Sequence, residues 1–80
     1  MPLVFESDRV CLHEICEADD AELLLQWLLD HPQGGVDCSS LEHLNTAVLQ
    51  VLLAAQRPCT AWPQDPLLQR FLKTELTRNL

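Results

Sequence analysis

The stretch from Gly34 to Gln56 constrains the fold more than any other part of this chain. A short strand-like run, Gly35 to Cys38, passes through a polar segment, Ser39 to Asn45, into a segment that is apolar nearly all round. Val48, Leu49, Val51, Leu52, Leu53, Ala54 and Ala55 are interrupted only by Gln50, which predicts a helix over Thr46–Gln56. A helix with so little polar face lies centrally in a layer that covers a sheet, or it forms part of an interface. Its start carries the most informative polar residues. Asn45 is suited to cap the helix through its side-chain oxygen. Thr46 then places a hydroxyl where unpaired backbone N–H groups and a partial positive charge favour an anion. Asn45, Thr46, Ala47, Val48 and Gln50 are therefore the candidate contact surface, with Thr46 as the candidate acceptor of a phosphoryl group.

The rest of the chain supplies a sheet and two more helices. Leu3-Val4-Phe5 reads as a short strand and Ser7-Asp8 as a turn. Arg9 to Ile15 alternates, with Val10 and Leu12 on one face and Cys11, His13 and Ile15 on the other, as in a hairpin. From Asp20 to His31 the spacing is helical. Ala21, Leu24, Trp27 and Leu28 share one stripe, widened by Leu25 and Leu29. Asp19 and Glu22 have capping-box spacing, and His31-Pro32 ends the helix before the Gly34-Gly35 turn. Arg57-Pro58 closes the second helix, and Cys59 to Trp62 forms a fourth strand. A last helix within Gln64–Leu76 has Leu67, Leu68, Phe71 and Leu72 inward and Pro66 in its first turn. Strands alternating with helices predict a small α/β sandwich, one domain over residues 1–80, with about four strands in a mixed sheet and about three helices.

Composition narrows the classes of function. A chain of 80 residues buries only about 60% of its unfolded surface. Its apolar fraction of 48% nevertheless argues for an ordered core. Five basic against twelve acidic residues give a net charge of −7, which disfavours nucleic acid and anionic membrane surfaces alike. Acidic side chains gather at Glu14, Glu17, Asp19, Asp20 and Glu22, whereas Lys73 and Arg78 lie near the end of the sequence; a solvated face is the reading adopted for them. MPLVFESDRV lacks the pattern of a signal peptide, and no apolar run reaches the roughly 20 residues that span a bilayer. A cytoplasmic protein is expected. Cys11, Cys16, Cys38 and Cys59 have no C-x-x-C pairing and lie in apolar surroundings, so buried thiols are expected rather than disulfides.

Catalytic and ligand-binding patterns are weak. His13, His31 and His43 do not fall at metal-ligand spacing, and no metal or cofactor is expected. Cys38, Ser39 and Ser40 near Glu42 and His43 suggest a nucleophile with a base, but the chain has no nucleophile elbow, and a non-enzyme is expected. Gly34-Gly35 lacks the later Gly and the Lys of a phosphate loop. Trp27 and Trp62 have no interleaved basic residues and read as packing positions.

The segment Val36-Asp37-Cys38-Ser39, Leu41, Leu44-Asn45-Thr46-Ala47-Val48-Leu49 and Leu52-Leu53 resembles the centre of STAS domains, the anti-sigma-factor antagonist family. There a "vDls" strand end leads to an "(I/V)DSSGL" or "DTGGL" motif that opens the second helix. Asn45 stands at the family's Asp, Thr46 at its first hydroxyl, Ala47 at its second and Val48 at its Gly. The Val10–Ile15 and Cys59–Trp62 strands and the Asp20–His31 and Pro66–Lys73 helices follow the family's order. The resemblance implies a non-catalytic regulatory module that binds a kinase or an anti-sigma factor and is switched by phosphorylation at Thr46. The "DTGGL" form implies a docking subunit of a lipid-transport ATPase. Apart from the resemblance, a structural homodimer sealed by the second helix, or a small-ligand-binding domain, is the alternative.

Overall fold

A computed structural model describes residues 2–77; Arg78 lies outside the described residues. The elements are β1 (Leu3–Phe5), β2 (Arg9–Cys16), α1 (Ala18–Asp30), β3 (Gly35–Leu44), α2 (Thr46–Ala55), β4 (Cys59–Ala61) and α3 (Pro66–Thr77). They build the expected α/β fold, a four-stranded mixed sheet in the order β1-β2-β3-β4 with three helices. β1 and β2 form the hairpin, antiparallel with Val4 opposite Cys11, while β2–β3 and β3–β4 are parallel. Both parallel crossovers step the same way across the sheet. Right-handed connections then place α1 and α2 on one face.

That face carries the core. Leu3, Val10, Leu12, Cys16, Val36, Cys38 and Leu41 from the strands meet Ala21, Leu24, Trp27 and Leu28 of α1, Val48 and Leu52 of α2, and Leu72 of α3. The stripe read on α1 is the buried one. Leu25 and Leu29, expected to widen it, are exposed, as is Leu23, because α1 meets the sheet and α2 along a single seam. On α3 only Leu72 is fully buried and Leu68 is half-buried. Leu67, expected inward, is 79% exposed, and Phe71 is exposed too, because α3 packs against α2 at the margin of the core. α2 lies between these two helices, and neighbours on both sides account for its scarcity of polar residues. Among the helices, the exposed large apolar side chains therefore sit on α1 and α3, and the strands add Val4, Phe5 and Ile15.

Other boundaries shift for non-local reasons. α1 begins at Ala18 rather than Asp20, since pairing of Cys16 with Leu44 ends β2 there. Its reciprocal cap is Glu17 with Asp20, the Glu17 N–H donating to Asp20 Oδ2 at 2.8 Å, in place of Asp19 with Glu22. β3 runs to Leu44 instead of stopping at Cys38. Asp65 caps α3, accepting from the Leu67 N–H at 2.9 Å, and Pro66 takes the first helical position as expected. Lys73 Nζ stands 5.7 Å from the centre of the Trp62 ring, a cation–π contact.

The junction between α1 and β3 is packed around Trp27. Its ring stacks on Phe5 at 6.1 Å and on His31 at 4.2 Å, and the His31 Nδ1–H donates to the Trp27 carbonyl at 2.9 Å. A Cβ at Gly34 would stand 2.5 Å from Trp27 Cη2 and 3.1 Å from the His31 carbonyl oxygen. Gly34→Ala is accordingly expected to destabilise the protein by about 2 kcal/mol, the cost of overpacking a site whose aromatic neighbour is held on several sides. Urea denaturation together with Trp fluorescence measures it, and an unchanged midpoint would show that Trp27 yields freely.

Candidate functional site

The start of α2 is built from both neighbouring strands. β3 leads directly into it, and the Asn45 N–H donates to the carbonyl of Cys16, the last residue of β2, at 2.8 Å. The Asn45 side chain accepts from the Ala47 N–H at 2.8 Å, so the expected cap is formed. α1 and α2 consequently leave the same end of the sheet side by side, with Glu17 beside Asn45 in capping position. Thr46 and Gln50 are exposed and, four residues apart, share one ridge of the helix. Ala47 is half-buried. Val48, included in the contact surface by sequence, is fully buried and points into the core. The surface available there is Asn45, Thr46 and Gln50 with the edge of Ala47.

A second feature lies where β2 and β3 slip past one another. Cys11 pairs with Asp37, but His13 pairs with Ser40 and Ile15 with His43, so β3 gains two residues over this span. Such bulges bend a strand and re-aim its side chains. One is pinned by Asp37, whose Oδ1 accepts from the Ser39 N–H at 2.9 Å and the Ser39 hydroxyl at 2.7 Å. This local bonding explains why a segment that reads as a polar turn continues as strand and returns Leu41 to the core. Glu14, opposite Leu41, has φ 51°, a left-handed conformation uncommon for a residue with a side chain. Beside it opens a cleft of about 580 Å³ lined by His13, Glu14, Ser39, Ser40, Leu41, Glu42, Gln64 and Asp65.

The cleft does not assemble the nucleophile and base suggested by sequence. Ser39 and Ser40 line it with Glu42, but Cys38 is buried and His43 is exposed outside the lining. The Ser39 hydroxyl is committed to Asp37. Among the described residues no group of three or more His, Cys, Asp and Glu side chains is placed to hold a metal. His31 caps α1 and His13 lies in β2. No sequence signal marked the cleft, because it depends on the slippage between two strands.

The Ser39 N–H first, and then its hydroxyl, hold the Asp37 carboxyl below the ordinary carboxylate range, against an opposing effect of burial; Arg9 adds a smaller pull, with Nε 4.0 Å away. A carboxylate with a folded pKa below its unfolded value contributes stability above the unfolded value, and loses it as pH falls through the folded one. Asp37→Asn is expected to cost about 1 kcal/mol at neutral pH, a gap that closes below about pH 4. Urea titrations of both proteins across that range test it. A gap independent of pH would remove the charge from the account.

Two of the four thiols, Cys16 and Cys38, are buried, while Cys11 and Cys59 are half-buried, and all four are free. Among the described residues no helix is long and apolar enough to cross a membrane. No protein-family model, curated protein or solved structure matches this chain.

Proposed function

We propose that this is a non-catalytic, STAS-like interaction module that regulates a partner protein through the start of α2. The observation carrying the reading is the exposed pair Thr46 and Gln50 on a helix whose N-terminus is fixed by Asn45 to β2 on one side and to its own first turn on the other. A contact surface benefits from being held rigid before binding, since less conformational freedom is then lost on association. The order of strands and helices agrees with the resemblance noted in the sequence. The partner class that follows is a kinase or an anti-sigma factor, with a transport ATPase as the version in which docking is permanent.

Phosphorylation of Thr46 would place about two negative charges at the positive end of α2. The helix gains stability from them. Glu17, Asp19 and Asp20 open the adjacent helix, so the added charge would make an already acidic end of the domain more so and drive away an acidic partner surface. The test is an affinity capture from native cytosol with wild-type, Thr46→Ala and Thr46→Glu proteins. Wild type and Thr46→Ala are expected to retain the regulatory partner, and Thr46→Glu to lose at least about tenfold in affinity, equivalent to about 1.4 kcal/mol. Full affinity in Thr46→Glu would remove this hydroxyl as the gate. Recovery of no protein besides this chain itself would favour the homodimer, for which the exposed Leu25, Leu29, Leu67 and Phe71 offer apolar surface.

A further inference from the structure

We propose that the open edge of β3 accepts an extended basic segment of a partner protein as a further strand, with its Lys or Arg side chains in the cleft beside Glu14. β3 is paired with β2 as far as Leu44, but β4 pairs only with Val36 and Asp37 and ends at Ala61. From Cys38 onward, no strand among the described residues lies on the side of β3 away from β2. A strand paired on one side presents alternate N–H and C=O groups on the other, the template on which an added peptide strand forms. Asp37 Oδ1 already takes the Ser39 N–H at 2.9 Å, so the open run is residues 40–44.

The cleft follows this run. Its volume of about 580 Å³ lies in the usual range of ligand sites. Ser40, Leu41 and Glu42 of the open run line it, with Glu14 of β2 to one side. Gln64 and Asp65, which come after the point where β4 stops, line it as well. Room and unpaired main chain therefore occur together.

Charge selects the occupant. Glu14, Glu42 and Asp65 line the cleft and no Lys or Arg does; between Val10 and Gln56 the chain contains no Lys or Arg at all. The Glu14 and Glu42 side chains are exposed, and among the described residues they have no hydrogen-bond or ion-pair partner. Asp65 gives Oδ1 to the Leu67 N–H and keeps its second oxygen. A second copy would bring an edge of the same sign from a chain of net charge −7, and like charges across a strand pair are destabilising. Nucleic acid carries the wrong sign too. A small polyamine meets the carboxylates but leaves the main-chain groups unanswered, whereas a basic peptide answers both. Alternate side chains of a strand point to one face, so a basic residue at every second position sends its charges into the cleft together. The site does not depend on the function proposed for Thr46.

The test uses the full chain and a fluorescent hexapeptide alternating Arg and Val, with blocked termini. One peptide is expected to bind per chain and to protect the amides of residues 40–44 from hydrogen exchange. Two N-methylated forms, one methylated at the Arg residues and one at the Val residues, keep the charge but each remove alternate main-chain donors. One form should bind at least about tenfold more weakly and the other close to the parent, since only one set of donors faces β3. Glu42→Lys should weaken the parent peptide at least about tenfold, whereas Glu22→Lys, exposed on α1, should change it less than about threefold. Equal effects of the two methylations would make the binding ionic without strand addition and overturn the proposal. So would displacement by spermidine at the peptide's own concentration, equal losses in Glu42→Lys and Glu22→Lys, a dimer that protects residues 40–44 without peptide, or no binding at about 1 mM peptide.

Discussion

Replacement of Arg57 by Ala is expected to cost about 3 kcal/mol, a large share of the roughly 5–10 kcal/mol that holds together a domain of this size. The guanidinium reaches from the end of α2 to the end of α1. Nη2 donates to the Leu28 carbonyl at 2.6 Å, and Nη1 donates to the carbonyls of His31 at 2.6 Å and Gly34 at 3.3 Å. These oxygens belong to the last turn of α1 and the turn after it, where backbone donors are scarce; the Leu28 carbonyl also accepts from the His31 N–H at 3.4 Å and the His31 carbonyl from the Gly34 N–H at 2.8 Å, so Arg57 adds a charged donor to each. A positive charge at this helix end is favoured as well, and no other basic residue occupies the last turn of α1. Arg57 is aimed there by Gln56, which adopts a left-handed conformation at φ 52° and closes α2 through its N–H to the Leu52 carbonyl.

Arg57→Lys separates charge from geometry. Lys keeps the favourable interaction with the helix end, worth about 0.3–1 kcal/mol, but one ammonium cannot reproduce a planar fork that serves three carbonyls. It should therefore recover less than half of the loss. Urea midpoints with an unchanged slope would attribute the effect to the native state, and hydrogen exchange should show the last turn of α1 opening first. Equal stability of the Lys and wild-type proteins would mean that charge alone closes this junction.

Arg57 also illustrates what a sequence reader can and cannot see here. Arg57-Pro58 was legible as the end of α2, since Pro stops a helix locally. The carbonyls it serves lie more than twenty residues earlier, and only the packing of α1 beside α2 brings them within reach. The same distinction separates the other outcomes. The hairpin of β1 and β2, the Ala21, Leu24, Trp27 and Leu28 stripe, the Asn45 cap and the position of Pro66 rest on contacts a few residues apart, and their patterns are written in the chain. β3 beyond Cys38 and the cleft beside Glu14 depend on register between strands. Short-range patterns carry no record of register once bulges interrupt the alternation.

The apolar excess of α2 was legible as a fact but admitted two explanations. A helix with helices on both sides and a sheet beneath needs as little polar surface as one at a dimer interface. Leu49, Val51 and Leu53 are half-buried within this chain alone. On α1 and α3 the error ran the other way, because a leucine next to an amphipathic stripe looks inward by spacing even where the neighbouring element is too short or too far to cover it. Leu29 and Leu67 are such cases, 64% and 79% exposed.

Val48 is where the structural and functional readings meet, and Val48→Gly is expected to cost about 3 kcal/mol. The side chain is fully buried among residues from all layers of the core. Its removal forfeits the burial of an isopropyl group and leaves a void that close-packed neighbours fill only in part. Glycine adds about 1 kcal/mol through its cost in a helix. The effect on binding should differ in kind from that at Thr46. If the surface of α2 makes the contact, Val48→Gly weakens a partner only in proportion to the unfolded fraction, so that cooling or a stabilising osmolyte restores full affinity, whereas Thr46→Glu stays weak in a fully folded protein. Thermal melts and binding isotherms on both variants at two temperatures make the distinction. Persistent loss of affinity in folded Val48→Gly would show that the partner senses the shape of the first turn as a whole, and would extend the site from the exposed ridge to the packing beneath it.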